Sequence, residues 1–405
     1  MKYLIILGDG MADYPVPALN RKTPLQVSSK PFMDKLASLG ELGMVRTVPA
    51  GLPPGSDVAN LSVMGYDPHL YYTGRSPLEA ASMGVNLSPT DVAFRCNLVT
   101  LSDAPSYQEK IMVDYSSDEI TTAESEILIN DIAKVLNTEQ FSFYPGISYR
   151  HLLVWHNGPT QCQLTPPHDI SDRPITDHLP KGEGALQLFE LMQKSVQILK
   201  NHPINEARIQ KGLRPATSIW LWGQGKKPSI KSFYEKYHLK GSVISAVDLA
   251  KGLGVCAGLD VINVPGATGN VHTNFRGKAE AALNAFKEGQ DFVYLHFEAP
   301  DEAGHRGEVE NKVISIEKID SEVLGYLLKE MPKLTTDFKI MLLPDHPTPL
   351  TLKTHVSDPV PFVIYRYDPA EKVVTKRSFN EDTARQTNFL IENGHSLMDH
   401  FIEKN

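Results

Sequence analysis

The stretch Lys339-Ile340-Met341-Leu342-Leu343-Pro344-Asp345-His346 runs a buried-strand signature straight into an adjacent Asp and His. A further histidine, His355, stands nine positions after His346, just before Pro359-Val360-Pro361. Strands buried on both faces read as continuous apolar runs, and open α/β sheets collect their chemistry beyond the carboxyl ends of such strands. Two other segments end in the same way. Tyr3-Leu4-Ile5-Ile6-Leu7 leads into Gly8-Asp9-Gly10, and Phe292-Val293-Tyr294-Leu295-His296-Phe297 leads into Glu298, Asp301 and His305. The expected fold is therefore α/β, a mostly parallel sheet flanked by helices.

Taken in order, the chain predicts a helix from Pro31 to Leu39, opened by a proline and closed by Gly40. Pro53-Pro54-Gly55-Ser56-Asp57 reads as a rigid turn before a short helix from Val58 to Met64, which puts Ser56 in its first turn. Two readings of Ser56 stand: an ordinary N-cap, or a nucleophile where free N–H groups and the helix dipole favour an anion. The texture changes after Gly74-Arg75-Ser76-Pro77. Strand-like pieces at Val92–Leu98, Ser148–Trp155 and Ser218–Trp222, and a helical pattern from Gly184 to about Asn201, predict a second domain inserted into the first. The expected division is residues 1–90 with 236–405 for the sheet domain, and 91–235 for a smaller α/β or α+β insertion. Gly223-Gln224-Gly225-Lys226-Lys227 lacks the spacing and the hydroxyl residue of a phosphate loop. The α/β rhythm then resumes, with helices at Ala246–Leu253, Lys278–Lys287 and about Val309–Leu328 and strands at Val261–Val264 and Phe362–Tyr365.

At 405 residues, with 41% hydrophobic and 22% charged residues, the composition is that of a soluble protein with room for two cores. Forty basic against 48 acidic residues, a net charge of −8, disfavour general attraction to nucleic acid or an anionic membrane. The three dispersed cysteines point to neither a disulfide framework nor a zinc cluster, and to a reducing cytoplasm. The apolar run at the N-terminus is too short for a signal peptide or a span.

Three strands thus end in candidate ligands: Asp9; Asp301 with His305; and Asp345-His346 with His355 beyond. Asp301 and His305 are four apart, so one helical turn sets both on one face. Asp345 and His346 are adjacent at a strand end and diverge, which suits two neighbouring cations better than one. Any one of these histidines alone reads more readily as a structural or surface residue than as a ligand, and Asp-Gly after a strand is usually a turn; it is their recurrence at one sheet edge that points to metal. Mixed carboxylate and imidazole ligands suit zinc or manganese. Two such ions clamp the oxygens of an in-line phosphoryl transfer, and a serine beside one becomes a usable nucleophile, which would give Ser56 a phosphoserine intermediate. Arg75, Arg95, Arg150 and Arg208 are available to hold the charges of a small phosphorylated substrate.

These residues carry a resemblance. Gly8-Asp9-Gly10, Gly55-Ser56-Asp57-Val58-Ala59-Asn60, Asp301-Glu302-Ala303-Gly304-His305, Pro344-Asp345-His346, Thr354-His355 and Pro359-Val360-Pro361 resemble the alkaline phosphatase superfamily. Within it, the chain is similar to the archaeal-type 2,3-bisphosphoglycerate-independent phosphoglycerate mutases. The likeness extends through Tyr72-Thr73-Gly74-Arg75, Phe94-Arg95-Cys96-Asn97, Pro167-His168-Asp169-Ile170 and Gly266-Ala267-Thr268-Gly269. It implies one ion held by Asp301, His305 and His355, and another held by Asp9, Ser56, Asp345 and His346. Manganese or zinc is expected, with magnesium or cobalt as alternatives, and no 2,3-bisphosphoglycerate. Ser56 would carry the phosphoryl group between 3-phosphoglycerate and 2-phosphoglycerate. The inserted domain would close over the substrate, with Arg95, Arg150, His168 and Asp169 as contacts or as general acid and base. The alternatives on the same core are an ATP-using, homoserine kinase-like phosphotransferase and a metal-dependent phosphatase; a non-catalytic metal-binding protein is the remaining one.

Overall fold

The structure, a computed structural model, describes residues 1–370 and 376–403. The chain divides into two compact units, Met1–Tyr72 with Ser229–Asn405, and Thr73–Pro228. The first boundary falls before residue 91, because the helix Ser76–Ser82 buries Ala80 against Ala93, Leu152 and Val154 of the second unit. The second falls before residue 236, because Phe233 stacks on Phe292 of the first unit's sheet with ring centroids 4.3 Å apart.

The first unit is built on an eight-stranded sheet. Its strands are β1 (Lys2–Gly8), β2 (Glu41–Val45), β3 (Gly241–Ile244), β4 (Asp260–Val261), β5 (Phe292–Phe297), β6 (Phe338–Leu343), β7 (Val360–Arg366) and β8 (Leu390–Ile391). Their order across the sheet is β4-β3-β5-β1-β6-β7-β2-β8. Only β7 runs against its neighbours. β5 and β6 throughout, and β1 from Tyr3 onward, are buried runs of the kind a central parallel strand needs. They are also side by side, with Leu7 in register with both His296 and Leu343. The residues that follow these three strands therefore emerge at one edge of the sheet. β4 is shorter than the expected Val261–Val264 strand, since it is an edge strand paired only to β3.

Helices cover the sheet at Pro31–Leu39, as expected, and at Asp248–Cys256 and Phe275–Lys287 where Ala246–Leu253 and Lys278–Lys287 are expected. The long helical pattern after Val309 is not one α-helix. It comprises Val309–Lys318, a π-helical stretch Ile319–Leu324 and Gly325–Leu334. The wider turn brings Ile319, Asp320, Val323 and Leu324 inside together. Asp320 accepts hydrogen bonds from the backbone N–H groups of Met33 (2.7 Å) and Phe32 (3.3 Å). It thereby caps the helix Pro31–Leu39, whose own N-cap residue, Lys30, offers no side-chain acceptor.

The second unit is an antiparallel sheet. Val92–Leu101 lies at its centre, paired with Arg150–Trp155, Ser218–Lys226 and Met112–Asp114, and Phe141–Ile147 extends it beyond Arg150–Trp155. The helices Thr122–Leu136 and Ala185–Leu199 pack their apolar faces on it through Leu128, Ile132, Leu188 and Met192. Gly223-Gln224-Gly225 is part of the strand Ser218–Lys226. Among the described residues, no helix is long and apolar enough to cross a membrane.

Asp320 yields a pH prediction. Burial raises its carboxyl to about 6, against the two backbone N–H bonds that favour the ionised form. A carboxyl whose folded pKa lies above its unfolded value stabilises the fold fully below the unfolded pKa, and the benefit is lost as pH rises through the folded one. The stability of the protein relative to Asp320→Asn should thus fall between about pH 4, the unfolded carboxyl range, and about 6. Urea unfolding of both proteins across that window checks it, and an unchanging difference would refute the assignment.

Candidate active site

The sheet edge beyond β1, β5 and β6 gathers the predicted ligands of the first unit. Asp9, Asp345 and His346 are fully buried, and Asp301 nearly so. Asp9, Asp345 and His346 present ligand atoms within 4.8 Å of one another, and so do Asp301, His346 and His355. His305, on the helix Ala299–Arg306, joins the second set: its Nε2 is 3.3 Å from Asp301 Oδ2 and 2.8 Å from His355 Nε2. His346 faces both sets, which is how two adjacent residues at one strand end serve two neighbouring sites.

Ser56 is the first residue of the helix Ser56–Val63, and Gly55 is the N-cap. The ordinary capping role is thereby excluded. The Ser56 hydroxyl lies instead 3.0 Å from His346 Nε2 and 3.5 Å from Asp9 Oδ1.

Secondary contacts fix how these ligands face inward. Lys353 O lies 3.0 Å from His305 Nδ1 and accepts its proton. Thr348 Oγ1 donates to Asp301 Oδ1 (2.5 Å), which leaves it an acceptor for His346 Nδ1–H at 3.2 Å. Both rings are thereby set with the Nε2 lone pair pointing into the site. Asp345 accepts from Gly10 N (3.1 Å), His346 N (2.8 Å) and Asn60 Nδ2 (2.9 Å), and Tyr294 donates to Asn60 Oδ1 at 2.5 Å. Asp9 Oδ2 is 3.1 Å from His296 Nε2. Gly10 has φ +59°, and a Cβ there would lie 2.5 Å from Thr348 Oγ1 and 2.6 Å from Asp301 Oδ1, so glycine alone fits.

The electrostatics favour a cation. Burial, and then the charges of Asp345, Glu298 and Asp301, push Asp9 well above the usual carboxylate range. Burial opposes ionisation of Asp301 too, yet the adjacent imidazoles of His305 and His355 outweigh it and hold that carboxyl well below the usual range. Buried carboxylates facing one another, with imidazole lone pairs alongside, are the donor set that divalent ions with mixed oxygen and nitrogen preference take. The seven predicted ligands fit such ions.

Sequence reasoning missed Asn60, Tyr294, His296 and Thr348 as parts of this site. The signal for two of them lay inside β5, where Tyr294 and His296 are the polar residues of an otherwise apolar run and, two apart, share a face.

In the second unit a basic and aromatic cluster forms around Trp222. The Arg95 guanidinium lies 4.5 Å above the Trp222 ring and pairs through Nε with Glu79 at 3.1 Å. Arg75 pairs with the same carboxylate at 3.2 Å. The Trp222 Nε1–H donates to Asn97 at 3.0 Å, and the His168 ring meets Trp222 edge-on at 5.3 Å. Arg150 lies over Tyr149 at 5.6 Å, and its charge adds to that of Arg75 in acting on Arg95. Asp169 is exposed, 3.6 Å from His168 Nε2. Burial, and then the charges of Arg95 and Arg75, lower His168 despite the Asp169 carboxylate, a shift that favours the neutral imidazole. Four predicted residues, Arg75, Arg95, Arg150 and His168, are thus grouped, with Asp169 at their margin.

Arg208 is not part of that cluster. It is 1% exposed and its donors go to Glu124 (2.7 Å), Ser117 O (2.5 Å) and Arg214 O (3.0 Å). The expectation that it binds substrate is corrected: a buried guanidinium with these bonds made clamps the turn at Ser117 to the helix Pro203–Gln210.

Comparison with known proteins follows the same lines. The family described as 2,3-bisphosphoglycerate-independent phosphoglycerate mutase matches residues 37–205. A probable 2,3-bisphosphoglycerate-independent phosphoglycerate mutase from Geobacter sulfurreducens is 54% identical, with 100% of each chain covered. The 2,3-bisphosphoglycerate-independent phosphoglycerate mutase of Methanosarcina acetivorans is 51% identical over 92% of each. Among solved structures, the cofactor-independent phosphoglycerate mutase from Thermoplasma acidophilum aligns with a TM-score of 0.64 at 25% identity, covering 100% of this chain and 99% of that one.

The role found for Arg208 is testable. Arg208→Met should lower stability by about 3–5 kcal/mol, because Glu124 and two carbonyls lose their partner. Activity per folded molecule should be unchanged, as measured by urea unfolding alongside steady-state kinetics. A raised KM at full stability would return Arg208 to the substrate.

Proposed function

The chain belongs to the 2,3-bisphosphoglycerate-independent phosphoglycerate mutases, and on that premise we propose that it interconverts 3-phosphoglycerate and 2-phosphoglycerate through a phosphoserine at Ser56. The observation that carries the reading is the placement of Ser56. Its hydroxyl has no capping duty and points at His346 and Asp9, among ligands suited to divalent ions.

Asp301, His305 and His355 would hold one ion and Asp9, Asp345, His346 and Ser56 the other, with manganese or zinc suiting the mixed donors and magnesium or cobalt as alternatives. Ions bound there supply positive charge to phosphoryl oxygens and lower the pKa of the serine hydroxyl.

The chain's own residues do the rest. Ser56 Oγ gives up its proton and attacks phosphorus in line; the bond to the 3-oxygen of glycerate breaks, and that oxygen takes the proton. The free N–H groups at the start of the helix Ser56–Val63 receive phosphoryl oxygens. The 2-hydroxyl of the same glycerate then attacks the phosphoserine and loses its proton, restoring Ser56. We assign to His168 the relay of the proton from Ser56 Oγ to the 3-oxygen and, in the second half, from the 2-hydroxyl to Ser56 Oγ, its imidazole accepting and then returning each one, with Asp169 beside it. Arg75, Arg95 and Arg150 are assigned to the carboxylate and phosphate charges of the substrate, because guanidinium groups bind both in bidentate fashion. Since the phosphoryl group is stored on Ser56, no 2,3-bisphosphoglycerate is needed. We place the reaction in the cytoplasm, in keeping with three free cysteines.

Purified protein given 3-phosphoglycerate and manganese, without 2,3-bisphosphoglycerate or ATP, should form 2-phosphoglycerate, followed by phosphorus NMR. Release of inorganic phosphate alone, or turnover only with ATP, would reassign it as a phosphatase or a kinase-like phosphotransferase. Chelation should abolish turnover and manganese restore it. Ser56→Ala should lower kcat by at least about three orders of magnitude, as loss of a nucleophile does, while leaving the protein folded by circular dichroism.

A further inference from the structure

Every ligand carboxylate must choose which oxygen it offers, and for Asp9 that choice traces to β5 and β3. The His296 side chain is 1% exposed and lies between two partners. Its Nε2 is 3.1 Å from Asp9 Oδ2, and its Nδ1 is 3.1 Å from Ser245 Oγ. Ser245 directly follows β3, which pairs with β5. The Ser245 hydroxyl already accepts the Val247 N–H at 3.0 Å, so its own proton is free to be donated to Nδ1. A neutral imidazole that accepts at Nδ1 carries its proton on Nε2. The reverse tautomer would set a lone pair against the Asp9 carboxylate.

We propose that His296, held in its Nε2–H tautomer by Ser245, is a positioning residue that occupies Asp9 Oδ2 and leaves Oδ1 to face Ser56 and His346. Oδ1 is the oxygen 3.5 Å from both Ser56 Oγ and His346 Nε2. A neutral donor suits this task, since a lysine or arginine there would compete with the cation for the same charge. The arrangement matches the one two residues earlier on the same face of β5, where Tyr294 fixes Asn60 and Asn60 occupies Asp345 Oδ2. One strand face thus orients both carboxylates of the Ser56 site. The inference rests on the reading of Asp9 as a metal ligand.

The test is calorimetric titration of chelator-stripped protein with manganese, with thermal unfolding of each variant as the check on folding. The wild type should show two binding events. His296→Ala should weaken one of them about 10–100-fold, the usual cost of losing such an outer partner, and leave the other unchanged. His296→Gln, whose amide N–H reaches close to the Nε2 position, should recover most of the loss. Ser245→Ala should weaken the same event to a smaller extent, and it carries the test if His296→Ala does not fold. Two events of wild-type affinity in folded His296→Ala or Ser245→Ala would overturn the inference alone. Loss of one ion in His296→Ala and His296→Gln alike would overturn it by making His296 itself a ligand. A wild type that takes up no manganese would overturn the metal reading beneath it as well.

Discussion

The Asp345 carboxylate is the constraint on which the first unit's site depends. It accepts from the backbone after β1, from its own neighbour His346, and from Asn60 in the helix Ser56–Val63. Its carbonyl accepts from Thr47 Oγ1. Three stretches of chain, distant from it in sequence, are thus referred to one residue at the end of β6. A buried carboxylate left unsatisfied would be costly, so these bonds fix the geometry as much as they tolerate it. Asn60 also bonds Ser56 O at 2.7 Å, so the same network sets the backbone of the nucleophile.

The loops that carry the histidines are braced from below by a second buried charge. Lys312 and Asp13 are both fully buried and pair at 2.7 Å. Such a pair gives little net stability, because desolvation offsets the attraction. What it provides is placement: Lys312 also donates to Thr348 O at 2.8 Å, and Asp13 accepts from Leu350 N at 3.2 Å. Thr348 in turn contacts Asp301 and His346. The pair therefore ties the segment after β1 to the segment after β6 and holds the hydroxyl that selects the His346 tautomer.

The second unit solves a different problem, presenting cationic charge without letting it wander. Burial lowers the Arg95 guanidinium to about 10 even with Glu79 beside it, so it remains charged at neutral pH. Stacking on Trp222 and pairing with Glu79 hold its plane in one orientation, which a flexible lysine would not keep. Ser76, buried behind the Arg75 turn, donates to Gly223 O and joins that turn to the strand bearing Trp222. Rigid cations suit a substrate whose charged groups stay put while one phosphoryl group moves.

The sequence by itself determined the fold class and which carboxylates and imidazoles gather at one sheet edge. Apolar runs at β1, β5 and β6 are imposed by burial on both faces, and ligands directly after them stay attached to those strand ends wherever the strands go. It likewise determined that Asp301 and His305 share a face, since helical geometry is local. Only the tertiary structure decided that Ser56 is not a cap, that the helix after Val309 widens at Ile319, and that Arg208 is spent on Glu124 and two carbonyls. It also decided the outer partners, Asn60, Tyr294, His296 and Thr348, of which only Tyr294 and His296, on one face of β5, hint at each other in the chain. The division has a physical cause. Periodicity and strand-end chemistry are written in neighbouring residues, whereas which donor satisfies which buried acceptor is settled only when strands far apart in sequence lie side by side.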